Sequence, residues 1–168
     1  MTLEVLCPSP DDTMALGRAL GRVVRPGAVI ALQGPLGAGK TLFTKGVAQG
    51  LDVPGWQYVT SPTFAIHNVY RGRLKLHHLD LYRLGSSGEL EDLGLDDALY
   101  GSDVCVLEWP DLFFEDLPRD RVQVQFSWGS SDSRLLRFEA RGSESRALIE
   151  DLREALRGTG RGREHHDL

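Results

Sequence analysis

Eight consecutive residues, Gly34-Pro35-Leu36-Gly37-Ala38-Gly39-Lys40-Thr41, constrain this chain more tightly than any other stretch. They fit G-x-x-x-x-G-K-S/T, a glycine-rich turn that belongs between a buried strand and a helix. Both neighbours are legible. Val29-Ile30-Ala31-Leu32 is a continuous apolar run, as expected of a strand covered on both faces. Thr41–Gln49 reads as a helix, with Phe43, Val47 and, just beyond it, Leu51 turned inward. Strand, turn and helix in this order commit the chain to an α/β fold with an anion cradle at the junction.

Each residue type in the turn has a physical task. Glycines lack a Cβ, so the backbone wraps tightly and aims several N–H groups at one anion. The helix that follows adds the positive end of its dipole. Lys40 brings a cation to β- and γ-phosphates, and Thr41 a hydroxyl to Mg2+. Gly34, Leu36, Gly37, Ala38, Gly39, Lys40, Thr41 and Leu42 are therefore the candidate nucleotide-binding residues of this stretch. Guanine is not the expected base. Asp52-Val53-Pro54-Gly55 spells D-x-x-G but sits directly behind the helix, and the chain has no N-K-x-D.

The 168 residues suit one domain with a substantial core, expected over 1–157. Residues 158–168 are polar and glycine-rich, and a disordered tail is expected there. A net charge of −5 argues against nonspecific nucleic-acid binding by the whole surface. Arg153, Arg157, Arg161 and Arg163 read as a solvated helix end and terminus, with contact to RNA phosphates the alternative. No apolar run approaches membrane-spanning length, and the first residues lack the basic-then-apolar pattern of a secretory signal. Cys7 and Cys105 show no metal-ligand spacing, and Cys105 sits in an apolar run as a small core residue. A reduced, cytoplasmic setting is the expectation.

Elsewhere the pattern is graded by turn signals. Leu3–Leu6 reads as a short edge strand. Ser9-Pro10-Asp11-Asp12 starts a helix that runs to about Val24, with Ser9 as N-cap and proline at the first position. Two extended stretches are expected near Thr63–Arg71 and Leu74–Tyr82, with Gly72 at the turn between them. Leu90, Leu93, Leu95, Ala98 and Leu99 mark a short helical region around Gly94. Asp103–Glu108 is a second buried strand, Arg121–Trp128 and Leu135–Ala140 an antiparallel pair, and Leu148–Leu156 the apolar side of a closing helix. The sum is a three-layer α/β fold of the P-loop NTPase kind, with a mixed central sheet.

A phosphate cradle alone binds; hydrolysis needs a carboxylate near Mg2+ and a group that places water. Asp80 and Glu108 each follow a strand-like run, and either can serve. Ser61-Pro62-Thr63-Phe64 is a hydroxyl-bearing segment downstream of the cradle, where a switch that senses the γ-phosphate can sit; a plain Ser-Pro turn is the alternative. Trp109, next to Glu108, either shields the site or meets a partner, or is simply half-buried. His67, His77 and His78 raise the question of zinc. His77 and His78 are adjacent, so a strand sends them to opposite faces, and no thiolate stands nearby.

Taken together, Gly34–Thr41, Ser61-Pro62-Thr63-Phe64, His78-Leu79-Asp80-Leu81-Tyr82-Arg83 and Glu108-Trp109-Pro110 resemble the TsaE (YjeE) family in order and spacing. Thr13, ahead of Leu16-Gly17, fits as well, and the resemblance spans roughly Ser9 to Pro110. It implies a bacterial, Mg2+-dependent ATPase that supports threonylcarbamoyladenosine formation next to the tRNA anticodon. It also implies a partner, the TsaD–TsaB pair, which performs the transfer while ATP hydrolysis permits repeated turnover. Carried onto this chain, Lys40 would hold phosphates, Thr41 and Glu108 would hold Mg2+, and Asp80 would polarise or position water. Thr13 would lie near adenine, Ser61–Phe64 would be the switch, and Trp109 would support activity or docking. Pro35 stands where the family often has an acid, and His67 where it is usually apolar.

Two rival readings share the cradle. A small-molecule kinase would add an acceptor pocket and an arginine-rich lid, and no arginine cluster lies between the cradle and Glu108. A non-catalytic, ATP-dependent interaction module would need binding alone. Arg83 is the nearest candidate for an arginine finger.

Overall fold

Ser9 starts the first helix as its neighbours require. Its hydroxyl accepts the Asp12 N–H at 3.3 Å, and the Asp12 carboxylate accepts the Ser9 N–H at 3.2 Å, a reciprocal capping box with Pro10 in the first turn. In the computed structural model, which describes residues 1–61 and 66–159, this helix is the second of twelve main elements. In chain order these are β1 (Thr2–Cys7), α1 (Pro10–Val23), β2 (Val29–Gln33), α2 (Lys40–Gly50), β3 (His67–Arg71), β4 (Lys75–Asp80), α3 (Ser87–Asp92), α4 (Asp96–Tyr100), β5 (Val104–Glu108), β6 (Val122–Trp128), β7 (Arg134–Ala140) and α5 (Ser143–Gly158).

All seven strands join one sheet in the order β1-β7-β6-β2-β5-β4-β3. β6, β2, β5 and β4 run parallel, whereas β7, β1 and the β3–β4 hairpin pair antiparallel. The apolar run of β2 now has its reason: the strand is paired on both sides and covered on both faces. On one face Ile30, Leu32, Val104 and Val106 pack with α1, α2 and α5. On the other, Val29, Ala31, Cys105 and Leu107 pack with residues of α3, α4 and the 110–117 segment. The result is the three-layer, mixed-sheet architecture expected from the sequence. Phe43, Val47 and Leu51 are fully buried on the α2 side.

α1 and α2 approach each other through glycine. A Cβ on Gly17 or Gly21 would lie 2.2 or 2.3 Å from the Phe43 or Val47 carbonyl oxygen. One on Gly46 or Gly50 would lie 2.1 or 2.2 Å from that of Met14 or Arg18. Nothing larger than hydrogen fits, so the two backbones touch directly. This contact presses the start of α1 against the start of α2, where a Cβ on Gly39 would meet the Thr13 methyl at 3.6 Å.

β3 and β4 occupy the described part of the two expected extended stretches, and the expected helical region resolves into α3 and α4 with Gly94 between them at φ +63°. α5 runs through Gly158. Both cysteines are buried, and burial pushes the Cys7 thiol up to about 11 and Cys105 up to about 12, so neither is a ready nucleophile. Among the described residues no helix is long and apolar enough to cross a membrane.

Candidate functional site

The cradle forms at the C-terminal end of β2. Gly37 and Gly39 take φ values of +78° and +100°, conformations that side chains rarely adopt, and Gly39 caps α2. The chain thereby reverses between strand and helix and leaves the first N–H groups of α2 directed out of the loop. Leu36 stands exposed at the tip, Ala38 is buried, and Leu42 is half-buried in the first turn of α2.

Lys40 is the first residue of α2 and is only 5 % exposed. Its Nζ donates to the Gly34 carbonyl at 2.8 Å and stands 3.4 Å from the centre of the Trp109 ring. Burial lowers its pKa from the ordinary lysine value, and the nearby Glu108, Asp111 and Asp80 carboxylates oppose that shift. Trp109 reaches the lysine because its own backbone is left-handed, at φ +59°, directly after β5. Such a conformation costs a side-chain-bearing residue about 1–3 kcal/mol and persists where surrounding contacts hold it. Tyr82 packs on the same indole, with ring centres 5.0 Å apart.

Two carboxylates close the other side. The parallel register of β4 and β5 sets Asp80 beside Glu108, both at strand ends. Asp80 Oδ1 accepts the Tyr82 N–H at 3.0 Å and is half-buried. Glu108 is 3 % exposed, and its Oε2 lies 2.7 Å from Nε2 of the fully buried His78. The Thr41 hydroxyl is hydrogen-bonded to the Ser61 hydroxyl, so the described end of the expected switch touches the cradle. Pro62, Thr63 and Phe64 lie outside the described residues. Thr13 is buried against Gly39 at the rim of the loop, and Arg83 is exposed in the turn after β4.

Lys40, Thr41, Ser61, Asp80, Glu108 and Trp109 thus meet at one rim of the sheet, outside the carboxyl ends of parallel strands, where open α/β sheets bind ligands. Sequence reasoning gave no role to His78 or Asp111. His78 had two signals, a second polar residue within Leu76-His77-His78-Leu79 and its place at the head of the His78–Arg83 motif. Asp111, which accepts from Gln33 Nε2 at 3.0 Å, had none. His77 turns away from His78, toward His67 (Nδ1 to Nε2, 2.8 Å) and Asp103 (Nε2 to Oδ2, 2.9 Å). No cluster of three metal-ligating side chains occurs among the described residues.

The donor set suits a hard divalent cation. A threonine hydroxyl and carboxylate oxygens, with neither thiolate nor free imidazole aimed at the same spot among the described residues, match the oxygen preference of Mg2+.

A mixed-sheet α/β protein with a glycine-rich turn after a central parallel strand, and acids ending the next two strands, has the architecture of a P-loop NTPase. Comparison narrows the class. Residues 7–136 match the model of the family described as threonylcarbamoyl adenosine biosynthesis protein TsaE, and the chain belongs to that family. The Bacillus subtilis protein named tRNA threonylcarbamoyladenosine biosynthesis protein TsaE is 42 % identical over 145 residues, 86 % of this chain and 89 % of its own. The Treponema pallidum protein of the same name is 44 % identical over 116 residues, 69 % of this chain and 84 % of its own. A crystal structure of Bacillus subtilis YdiB superposes with a TM-score of 0.75 at 36 % identity, covering 90 % of this chain and 94 % of that one.

Proposed function

We propose that this protein binds ATP with Mg2+ in the turn after β2, hydrolyses it slowly on its own, and through that cycle supports threonylcarbamoyladenosine formation in tRNA together with a TsaD–TsaB pair. The observation that carries the reading is the convergence of Lys40, Thr41, Asp80 and Glu108 around one glycine-rich loop. The pathway is that in the names of the relatives.

Lys40 is held by a carbonyl and an aromatic face, both weaker partners for a cation than phosphate oxygens. Triphosphate entering the loop therefore takes its Nζ. The main-chain N–H groups at the start of α2 bind the same oxygens. Thr41 and Glu108 would hold Mg2+, which would supply neutralisation of phosphate charge. Asp80, one strand over, orients a water toward the γ-phosphorus. As the new P–O bond forms and the bond to ADP breaks, its carboxylate is placed to take the water's proton. Thr13 at the loop rim is the candidate neighbour of adenine. The Thr41–Ser61 bond gives the switch its handle: a Thr41 hydroxyl turned to bound Mg2+ would give up Ser61, so nucleotide binding would be felt at Ser61, where the expected switch begins, and Trp109 is the candidate partner contact.

Arg83 is exposed, which leaves transition-state charge short of a second cation, and the partner pair supplies the acceleration. The test is phosphate release from ATP with and without TsaD–TsaB, for wild type and Glu108→Gln. Slow release alone, faster release with the pair, and loss of both in the variant are expected. Equal rates with and without the pair refute partner activation. Phosphate appearing on a small acceptor instead of free in solution points to the kinase reading, and tRNA modification supported by an inactive Glu108→Gln points to the binding-only module.

A further inference from the structure

Glu108 comes to the site already held. It ends β5, and its partner His78 lies in the interior of β4 with no exposed surface at all. Register explains the contact: His78 pairs with Val106, two residues before Glu108, and strand alternation puts both side chains on the sheet face that carries α1 and α2. An imidazole among Leu76, Val104 and Val106 is costly to bury, and one hydrogen bond offsets that cost only at one ring nitrogen. The other nitrogen, Nδ1, is buried without a hydrogen-bond partner among the described residues.

That asymmetry selects a tautomer. A proton on Nδ1 would leave a buried N–H unbonded and set a ring lone pair against the Glu108 oxygen. A proton on Nε2 leaves only a lone pair unmatched and lets the ring donate to an ionised carboxylate, the stronger kind of bond. The bond occupies Oε2 and leaves Glu108 its second carboxylate oxygen. It also removes rotational freedom that a cation would otherwise have to freeze out on binding.

We propose that His78 is a positioning residue for the cation-binding carboxylate: its Nε2–H fixes Oε2 of Glu108, so that the remaining oxygen is presented, in place, to the Mg2+ shared with Thr41. The inference rests on reading the rim as a Mg-ATP site. Hydrogen bonds of this kind, from a buried group onto a metal ligand, typically change metal affinity about tenfold to a hundredfold.

The test compares wild type with His78→Gln, whose amide N–H can stand near the place of Nε2, and His78→Leu, which has no donor. ATP binding is measured by titration calorimetry in EDTA and across a Mg2+ series, so that no turnover enters the readout. All three proteins are expected to bind alike in EDTA. His78→Leu is expected to need about tenfold to a hundredfold more Mg2+ for its half-maximal gain in affinity, with His78→Gln close to wild type. A histidine that only fills the core would lower the melting temperature of both variants and leave the Mg2+ midpoints where they were; that result overturns the proposal. Wild type gaining nothing from Mg2+ overturns it together with the reading of the site, whereas a normal wild-type response matched by folded His78→Leu removes His78 alone. Should His78→Leu not fold, nitrogen-15 spectra of wild-type His78 decide. A proton on Nε2 whose resonance moves during Mg2+ titration in the presence of ATP supports the proposal. A proton on Nδ1, or a resonance indifferent to Mg2+, overturns it.

Discussion

Gly46→Ala is a one-methyl change that should loosen both the fold and the site. Gly46 lies in the middle of α2, where alanine alone would stabilise the helix by about 1 kcal/mol. Its Cβ, however, would stand 2.1 Å from the Met14 carbonyl oxygen and 3.0 Å from the Arg18 nitrogen, both backbone atoms of α1. Close C···O contacts run at about 3.3 Å, so the helices would have to part by about 1 Å. Overpacking of this kind costs about 1–3 kcal/mol, and rigid backbone on both sides puts this site at or beyond the upper end. After the propensity gain, a net loss of about 2 kcal/mol remains. For a chain of this length that is a fall of about 4–8 °C in melting temperature, read by calorimetry or circular dichroism. The same separation withdraws Thr13 from Gly39, so ATP affinity should fall as well. Gly158→Ala is the control, because a Cβ there meets nothing within 4 Å. A melting temperature for Gly46→Ala at or above wild type would refute the claim that direct backbone contact holds α1 on α2.

Lys40→Ala should weaken ATP binding about tenfold to a hundredfold, the range set by about 1.5–3 kcal/mol for hydrogen bonds to a charged group. Its melting temperature should not fall, since a buried, partly desolvated ammonium leaves with it; undiminished affinity in calorimetry refutes the assignment. Asp120→Ala should cost about 1 kcal/mol at neutral pH, because both Asp120 oxygens cap α5 through the Glu144 and Ser145 N–H groups at 2.9 Å. Burial raises the Asp120 pKa, but the bonds from Ser145 and Glu144 outweigh it and the net shift is downward. The stabilisation is therefore present above the unfolded carboxylate value and lost as pH falls through the folded one, so wild type and variant should converge in acid; a constant gap refutes the capping role. His67 behaves in the same sense: burial first, then His77, lowers its pKa, so the fold favours the neutral ring. Its contribution is complete above about pH 6.5 and lost as pH falls from there through the depressed value, so wild-type melting should drop more steeply between pH 7 and 5 than that of His67→Leu. Parallel curves would count against it.

Local signals in the chain were legible where one element suffices to explain them. Ser9 with Asp12, the apolar run of β2, and the inward faces of Phe43 and Val47 each follow from spacing alone, and each stands where the spacing puts it. Gly17, Gly21, Gly46 and Gly50 are different. Their four-residue spacing marks one stripe on each helix, but nothing in either stripe says that the other is its partner. Left-handed backbone at Trp109 is also invisible beforehand, because a tryptophan does not advertise it; the turn is imposed by what the indole then touches, Lys40 on one side and Tyr82 on the other.

The choice between Asp80 and Glu108 shows why the rest of the site needed the fold. Read along the chain, each acid ends a strand and each is a complete explanation by itself, so they compete. Read across the sheet, the parallel register pairs Asp80 with Glu108 directly, and the competition ends. Two acids at adjacent strand ends need not share one task, because their surroundings divide it. Glu108 is buried and tied to His78, as suits a fixed ligand. Asp80 is half-buried, braced among the described residues by the N–H two residues on, and keeps access to water. These surroundings fit the two roles proposed, cation ligand for Glu108 and water positioning for Asp80, and the feature that separates them is a histidine thirty residues upstream of the glutamate it holds.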